Sequence, residues 1–377
     1  MPDVLMYADS VRSPEMRHEV PVAISDPFLY AEHDGRRCAV TSPLEVERLS
    51  RAGVEVIAYS ELGLDELVAS GIGRDDILLA LMLRACESIG IRSAAVPTTF
   101  PLELADHLRA HGIELHVDRQ LFGHRRRVKT EAELAGIRRA QRAAEAGMGA
   151  ARALLRRAEE RNGVLLLDGD ELTCERIKAD VTQAVGEHDA SADEFTLSHG
   201  AQTASGHDRG SGPIAPGEPI LIDLFPRDRQ SGCYADMTRT YVLGSVPPDL
   251  RRYHGLCFEA LQAALAGTRP GVVGHDLFVE TCRLFEQNGY ATQLSDDPPS
   301  APREGFFHAL GHGVGLELHE SPRLGIARDD PLVAGDVISI EPGLYREGYG
   351  GCRLEDLVLV TEDGAENLTG FPYELEP

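Results

Sequence analysis

The spacing of apolar positions divides the chain into two regions of different character. In residues 1–125, short apolar runs such as 37–40 and 54–57 alternate with helical stretches such as 75–88 and 101–111. Alternation of strands with helices is typical of a partly parallel sheet covered by helices. The pattern therefore predicts a small α/β domain over residues 1–125, in which no group of acids, histidines or glycines suggests catalysis.

The pattern changes after this region, where a long amphipathic helix is predicted. Thr130 and Glu133 have the spacing of a capping box, in which each side chain caps a backbone amide at the start of a helix. Apolar residues then recur every three or four positions as far as Leu155, except that Gln141 occupies one expected position. From Glu194 onward, strand-like runs are separated by proline and glycine turns. We therefore predict an α+β domain over residues 126–377.

Composition and charge narrow the range of partners. Apolar residues make up 42% of the chain, charged residues 26%, and the formal net charge is −24. Nucleic-acid binding depends on cationic contacts with phosphates, so this acidity argues against a nucleic-acid partner. The apolar runs are too short to cross a bilayer, and the N-terminus lacks the basic and apolar blocks of a signal peptide. The sequence thus predicts a cytoplasmic protein with no membrane partner.

The seven cysteines support the same location. Their number is odd and no two of them form a C-x-x-C pair. This pattern argues against a disulfide framework and against a thiolate zinc site. Reduced thiols in a cytosolic protein are the interpretation that fits best.

Two aspartates lie in strand-like segments that a turn could bring together. The apolar run 219–222 leads directly into Asp223, and Asp236 follows thirteen residues later in the segment 234–242. A turn at 230–232 would make the two segments an antiparallel hairpin, and side chains alternate between the faces of a strand. We expect both carboxylates to meet on one face of the sheet.

The segment 306–320 places three histidines among three alternate glycines. The glycines argue against a helix and permit a close approach of the backbone. The Gly-x-Gly-x-Gly pattern lacks the lysine and the strand–loop–helix context of a nucleotide-binding loop, and no helical H-E-x-x-H motif is present. The segment is therefore a candidate for histidine chemistry outside those two motifs.

Two glutamates follow in apolar strands. Glu341 ends the segment 336–341, just before a proline–glycine turn, and Glu355 lies in the segment 352–360 beside Arg353. An unpaired charge in such an apolar strand would be costly. We therefore expect both glutamates to have a partner.

The charges of these residues indicate a metal centre. Four carboxylates and an imidazole that met at one place would repel one another if nothing neutralised them. Two divalent cations would supply four positive charges against the four negative ones, and hard oxygen donors with one nitrogen suit manganese, cobalt or zinc. Two-metal centres activate water and polarise carbonyl groups. The residues point to metal-assisted hydrolysis.

Together, these segments resemble the pita-bread metallopeptidases, the group that includes aminopeptidase P, prolidase, methionine aminopeptidase and creatinase. The resemblance covers residues 130–377 and is carried by the segments 222–223, 235–240, 311–320, 340–345 and 353–356. Residues 1–125 are similar, more loosely, to the N-terminal domain of aminopeptidase P, prolidase and creatinase. The resemblance implies a C-terminal pita-bread (creatinase/aminopeptidase-like) catalytic domain over residues 126–377, preceded by a smaller α/β domain.

The resemblance also implies a centre of two divalent metal ions, with manganese expected first and cobalt or zinc as alternatives. Two of the implied ligands, Asp236 and Glu355, match family residues that bridge the ions. The five implied ligands are Asp223, Asp236, His312, Glu341 and Glu355.

Further roles in catalysis follow from the same resemblance. Glu341 is implied to carry the proton of the attacking water, and His319 to contact the substrate carbonyl. Arg353 matches an arginine that orients the metal-site carboxylates. His207 matches a histidine that lines the substrate pocket, and His308 stands where a histidine of the site wall occurs, with a packed core histidine as the alternative.

The implied activity is hydrolysis of the peptide bond between an N-terminal residue and proline, by an Xaa-Pro dipeptidase or an Xaa-Pro aminopeptidase. Methionine aminopeptidase is the nearest alternative, but it usually lacks the N-terminal domain and the Asp-Met-Thr-Arg-Thr strand. Creatinase works without metals, and a lyase on this fold would show altered ligands. A non-catalytic binding module would have lost ligands, whereas all five are present. The expected partner is a small peptide with proline at its second position, and the family alone implies a homodimer.

The choice between dipeptidase and aminopeptidase stays open at this stage. The two activities differ in whether the pocket closes around a free carboxylate or admits a longer chain. Arg323 and Arg328 are candidates to pair with that carboxylate, and the alternative for each is an ordinary surface arginine.

Overall fold

The computed structural model of the chain describes residues 2–206, 208–295 and 304–377. These residues form two units, Met1–Arg126 and Arg127–Pro377. Within the described ranges, no helix is both long and apolar enough to span a lipid bilayer. The seven cysteines are buried as free thiols.

A six-stranded mixed sheet forms the centre of the first unit. Its strands are β1 (Val4–Ala8), β2 (Phe28–His33), β3 (Arg36–Thr41), β4 (Glu55–Ala58), β5 (Ser93–Val96) and β6 (Glu114–Val117). They lie in the order β4-β3-β2-β1-β5-β6, with β1–β2 and β2–β3 antiparallel and the other three pairs parallel. The strands predicted at 37–40 and 54–57 are β3 and β4.

Helices cover both faces of this sheet. They are α1 (Pro14–Glu19), α2 (Val46–Arg51), α3 (Leu64–Ala69), α4 (Arg74–Ile89), α5 (Leu102–Ala110) and α6 (Arg119–Arg127), with a 3-10 helix at Tyr59–Leu62. Side chains of β1 alternate between two cores: Leu5 packs in the core of α4 and α5, whereas Val4 and Met6 pack in that of α1 and α2. Such alternation is expected of a strand that is buried on both faces. The helices predicted at 75–88 and 101–111 are α4 and α5.

The second unit combines long helices with several small sheets. Its helices are α7 (Glu131–Arg157), α8 (Cys174–Gly186), α9 (Pro248–Gly267) and α10 (Gly274–Gln287), with a 3-10 helix at Gly200–Ala204. Its strands are β7 (Glu159–Arg161), β8 (Val164–Leu167), β9 (Asp170–Glu171), β10 (Ala190–Ser191), β11 (Thr196–His199), β12 (Pro219–Leu224), β13 (Arg227–Asp228), β14 (Met237–Val242), β15 (Ala291–Thr292), β16 (Glu304–Phe306), β17 (Gly311–Gly313), β18 (Glu320–Leu324), β19 (Val337–Ile340), β20 (Gly343–Arg346), β21 (Gly350–Arg353), β22 (Asp356–Val360) and β23 (Ala365–Asn367).

The predicted amphipathic helix is α7, and its capping box is formed. The Glu133 amide donates to Thr130 Oγ1 at 3.2 Å, and the Thr130 amide donates to Glu133 Oε2 at 2.8 Å. These bonds satisfy amides that have no carbonyl partner in the first turn of a helix.

Three sheets of the second unit carry the candidate site residues. One has the order β11-β12-β14, a second β18-β17-β19-β22-β23, and a third contains the neighbours β20 and β21. Helices α7 and α8 share a core with Ile220 and Ile222, whereas α9 and α10 share one with Ile338, Ile340 and Leu344. Residues at the alternate positions of these strands face away from the helices. The second unit is α+β, as the sequence predicts.

Candidate metal centre and substrate cavity

Asp223 and Asp236 lie at neighbouring ends of an antiparallel strand pair. Asp223 pairs with Thr238 in the ladder of β12 and β14, and Asp236 comes directly before β14. Because side chains alternate along a strand, Asp236 and Thr238 share the face of Asp223. The predicted hairpin is thus present, but its second strand begins at Met237 and not at residue 234.

His312 lies in the middle of β17, between two glycines. Its Nδ1 is 3.1 Å from the carbonyl oxygen of Gly313, so the ring donates from Nδ1 and keeps the Nε2 lone pair free for a ligand. Nε2 is 3.6 Å from Asp236 Oδ2 and 3.6 Å from Glu341 Oε1. Burial lowers the pKa of His312 to about 4, which keeps the imidazole neutral near pH 7.

Gly311 permits the close approach of β17 to β19. A Cβ added at Gly311 would lie 2.0 Å from the carbonyl oxygen of Ser339. Because this neighbour is backbone, Gly311→Ala is expected to lower the free energy of unfolding by about 1–3 kcal/mol. Gly149→Ala, in α7, is the matched control, since its Cβ would meet nothing within 4 Å. In urea unfolding, the control should show a free energy of unfolding that is higher than that of the wild type by up to about 1 kcal/mol. Equal free energies of unfolding for the two variants would contradict this account.

Glu341 and Glu355 come from different strands, and their side chains lie in the same cavity as the two aspartates. Glu341 directly follows β19, and Glu355 lies between β21 and β22. Glu355 accepts a hydrogen bond from Thr238 Oγ1 at 2.8 Å, and its amide donates to the Thr238 carbonyl at 3.1 Å. The single strand predicted at 352–360 is therefore wrong: the ladder is interrupted because Glu355 bonds to a strand of another sheet.

Arg353 holds one carboxylate of the cluster. Its Nη2 donates to Asp223 Oδ2 at 2.6 Å, its Nε to Thr238 Oγ1 at 3.2 Å and its Nη1 to Tyr345 Oη at 3.2 Å. The other oxygen of Asp223, Oδ1, is buried and has no hydrogen-bond partner among the residues that the structure describes. A buried carboxylate oxygen without a partner is costly, so it is suited to a cation.

The carboxylates raise one another's pKa. Burial, followed by the charges of Glu355, Asp223 and Glu341, raises the pKa of Asp236 well above its ordinary value. Burial and the charges of Glu341 and Asp223 likewise raise the pKa of Glu355 well above its ordinary value. Burial raises the pKa of Glu341 to about 7, although Arg353 opposes the shift. Without a counter-cation, these groups therefore hold protons at pH values where carboxylates are usually ionised.

The donor set fits a divalent cation. One ligand atom from each of Asp236, His312 and Glu355 lies within 4.8 Å of the others, and all three residues are buried. Three further features agree with this interpretation: His312 Nε2 lies 3.6 Å from two of the carboxylates, Asp223 Oδ1 has no hydrogen-bond partner among the described residues, and the carboxylate pKa values are raised. The structure thus brings together the five side chains predicted as ligands.

These side chains form part of the wall of a cavity of about 440 Å³. Apolar side chains of Phe195, Phe225 and Leu318 line it as well, and Arg209 and Arg323 lie at its wall. The predicted site residues that line the cavity are Asp223, Asp236, His308, His312, His319, Glu341, Arg353 and Glu355. His207 lies outside the described residues.

His308 and His319 occupy different positions in the cavity. His308 bonds through Nδ1 to the Ala309 carbonyl at 2.7 Å and through Nε2 to Tyr345 Oη at 2.9 Å. The ring of His319 packs edge-on against that of His312, with 4.3 Å between centroids. His308 is thus part of a hydrogen-bonded wall, whereas His319 contacts the candidate ligand His312.

Sequence reasoning missed Thr238 and Tyr345 as site residues. Thr238 shares a strand face with Asp236, which was a usable signal. Tyr345 Oη would lie 2.3 Å from a Cβ at Gly343, so the ring needs a glycine beneath it. The glycine two residues before this tyrosine was the corresponding signal.

Comparison of the sequence with known proteins identifies a matching family and similar dipeptidases. The profile described as "Metallopeptidase family M24" matches residues 135–362. The "Probable dipeptidase PepE" of Mycobacterium tuberculosis (strain ATCC 25618 / H37Rv) is 30% identical over 335 residues, which cover 87% of this chain and 80% of the relative. The "Xaa-Pro dipeptidase" of Pyrococcus furiosus is 36% identical over 162 residues, covering 43% of this chain and 42% of the relative.

Solved structures share the fold over the whole chain. The prolidase from Pyrococcus horikoshii OT3 superposes with a TM-score of 0.76 at 23% identity, and the match covers 100% of this chain and 95% of that chain. The X-Pro aminopeptidase from Thermotoga maritima MSB8 superposes with a TM-score of 0.78 at 21% identity, covering 100% and 97%. The fold predicted from the sequence is confirmed.

Proposed function

We propose that this chain, which belongs to metallopeptidase family M24, hydrolyses the peptide bond between an N-terminal residue and proline in small peptides. The observation that carries the proposal is the convergence of four carboxylates and one histidine on a single cavity. Relatives named Xaa-Pro dipeptidase support the choice of substrate.

We propose that two divalent ions, manganese first and cobalt or zinc as alternatives, complete the site. The residues that would hold them are Asp223, Asp236, His312, Glu341 and Glu355. Such ions supply Lewis-acid polarisation of the scissile carbonyl and lower the pKa of an attacking water. The oxygen-rich donor set with one imidazole supports manganese, cobalt or zinc over copper.

Side chains of the protein take the remaining catalytic roles. Arg353 fixes Asp223 through a bond of 2.6 Å and supports Tyr345, which in turn bonds His308. We assign to Glu341, which lines the cavity with one oxygen 3.6 Å from His312 Nε2, the transfer of a proton from the attacking water to the leaving nitrogen. We assign His319 to the substrate carbonyl, where a hydrogen bond would stabilise the charge that develops in the transition state.

Arg323 is the better of the two candidates for binding the substrate carboxylate. It lines the cavity and pairs with His312 in the ladder of β17 and β18. Arg328 is not among the described residues that line the cavity, and it donates to Asp276 Oδ1 at 2.9 Å. Arg209 also lines the cavity, but it pairs with Glu194 at 2.7 Å. We propose on this basis that the enzyme prefers dipeptides.

Arg323→Gln is expected to raise KM for Xaa-Pro by about 10- to 100-fold with little change in kcat, since a charged hydrogen bond contributes about 1.5–3 kcal/mol. Arg328→Gln, the matched control, should behave like the wild type. Steady-state kinetics on Xaa-Pro and Xaa-Pro-Yaa check the proposal. If the wild type cleaves both peptides equally well and Arg323→Gln changes the KM of neither peptide, Arg323 does not bind the substrate carboxylate.

A matched pair of peptides tests the activity itself. With the first residue held constant, the metal-supplemented protein should cleave Xaa-Pro and leave Xaa-Ala largely intact. Cleavage that depends on an N-terminal methionine and not on proline would favour the methionine aminopeptidase alternative. Tight binding of Xaa-Pro without cleavage would favour a non-catalytic binding module.

Two finer proposals concern the protein in the cell. A cytoplasmic location is supported by seven buried free thiols. A homodimer is supported by the family resemblance alone.

A further inference from the structure

We infer that a buried ion pair between Lys129 and Glu320 positions His319 in the substrate cavity. Glu320 directly follows His319 in the chain and begins β18. The inference rests on the proposed function, because it concerns the histidine that we place against the substrate carbonyl. In this account Lys129 and Glu320 are positioning residues that act through His319.

The ion pair joins two distant parts of the chain inside the second unit. Lys129 Nζ donates to Glu320 Oε1 at 2.5 Å and to the Arg127 carbonyl at 3.3 Å. Lys129 stands just before α7, and both side chains are only 2% exposed. A desolvated ion pair with such a short contact has a defined geometry, unlike an exposed pair.

The loop between β17 and β18 folds directly over this pair. A Cβ at Gly315 would lie 2.6 Å from Glu320 Oε1 and 2.8 Å from Lys129 Cε. The Gly315 amide donates to the Glu317 carbonyl at 3.0 Å, and the Gly315 carbonyl accepts from the Tyr234 amide at 2.8 Å. The loop backbone therefore rests on the ion pair and is held by one hydrogen bond within the loop and one from Tyr234.

This arrangement determines where His319 lies. The loop begins beside His312 and ends at His319, and the two rings meet with 4.3 Å between centroids. A shift of Glu320 would be transmitted to His319 through one peptide bond. Displacements of about 1 Å at a reacting group can reduce rates by about 100-fold.

Stability alone does not account for charges at this position. A buried ion pair is often no more stabilising than apolar residues of the same volume, because both charges lose their hydration. The directional bonds of the pair fix a geometry that apolar packing would leave looser. We therefore assign the pair to the placement of His319.

A double-mutant cycle between Glu320 and His319 tests the inference. Glu320→Leu is expected to lower kcat by about 10- to 100-fold with unchanged KM and unchanged metal content. Glu320→Gln can still accept the hydrogen bond of Lys129 and should restore most of the lost kcat. In a His319→Ala background, Glu320→Leu should cause no further loss, since both changes act on one group.

The variant Lys129→Met/Glu320→Leu covers the case in which Glu320→Leu leaves Lys129 unpaired and unfolds the protein. It removes both charges, so it is expected to fold and still show the lowered kcat. The inference is overturned if this double variant has the wild-type kcat, fails to fold or loses metal. It is also overturned if the loss caused by Glu320→Leu persists in the His319→Ala background. Failure of the proposed function is distinct, because the wild type itself would then not cleave Xaa-Pro.

Discussion

Asp236→Asn is expected to abolish turnover while it makes the metal-free protein more stable. Asp236 is 4% exposed, and burial together with Glu355, Asp223 and Glu341 raises its pKa far above the ordinary 3.8. A carboxyl group whose pKa is higher in the folded than in the unfolded state loses stabilising effect as the pH rises through this interval. Asparagine carries no charge, so it removes this cost but also removes a proposed metal ligand.

Three measurements check this result at pH 8. In chelator, thermal unfolding should occur at a higher temperature for Asp236→Asn than for the wild type. Calorimetric titration with Mn²⁺ should show a severe loss of affinity. The value of kcat/KM should fall by at least about 1,000-fold, which corresponds to several kcal/mol of lost Lewis-acid stabilisation.

Asp228→Asn is the matched control. Asp228 is 1% exposed, but it accepts hydrogen bonds from Arg139 at 2.8 Å and from Ser231. Burial opposes its ionisation, yet these bonds outweigh burial and lower its pKa. This variant should unfold at a lower temperature and keep its metal affinity. If Asp236→Asn destabilises the metal-free protein as Asp228→Asn does, the proposed repulsion among the carboxylates is wrong.

His319→Ala and His312→Ala should separate two functions of adjacent imidazoles. The rings are 4.3 Å apart, and both line the cavity. His319→Ala is expected to keep the metal and to lose about 100- to 1,000-fold in kcat, the usual cost of removing a donor to a developing oxyanion. His312→Ala is expected to lose metal affinity and turnover together, because Nε2 is the atom that faces Asp236 and Glu341.

Metal analysis of the purified variants, combined with single-turnover kinetics, distinguishes the two cases. The two substitutions remove the same side chain from neighbouring places, so each serves as the other's control. A His319→Ala protein that no longer bound metal would show that the ligand assignment is wrong. A His319→Ala protein with the wild-type kcat would remove His319 from the mechanism.

The hairpin of Asp223 and Asp236 could be predicted because its signals are local. An apolar run ends in the first aspartate, a glycine turn follows, and the strand period of two places the carboxylates on one face. The break at Glu355 could not be predicted from such signals. It depends on hydrogen bonds to Thr238, which lies 117 residues away in the chain.

Local signals do not choose among the three histidines, whereas the resemblance to the pita-bread metallopeptidases implies His312. The glycines at 311, 313 and 315 indicated a close approach of the backbone, but they did not say which imidazole would face the carboxylates. The bond of His312 Nδ1 to Gly313 and the distances of Nε2 to Asp236 and Glu341 decide it. Lys129 carried no signal, because its partner Glu320 is 191 residues away.

Metal reconstitution tests the central claim most directly, namely that five side chains hold the divalent ions on which hydrolysis depends. The protein would be dialysed against chelator, and turnover of one Xaa-Pro dipeptide would be followed while Mn²⁺ is added in known equivalents. We expect no turnover in chelator and a rise that saturates at two equivalents per chain. Full turnover in the presence of chelator, or a protein that takes up no divalent ion, would contradict the account.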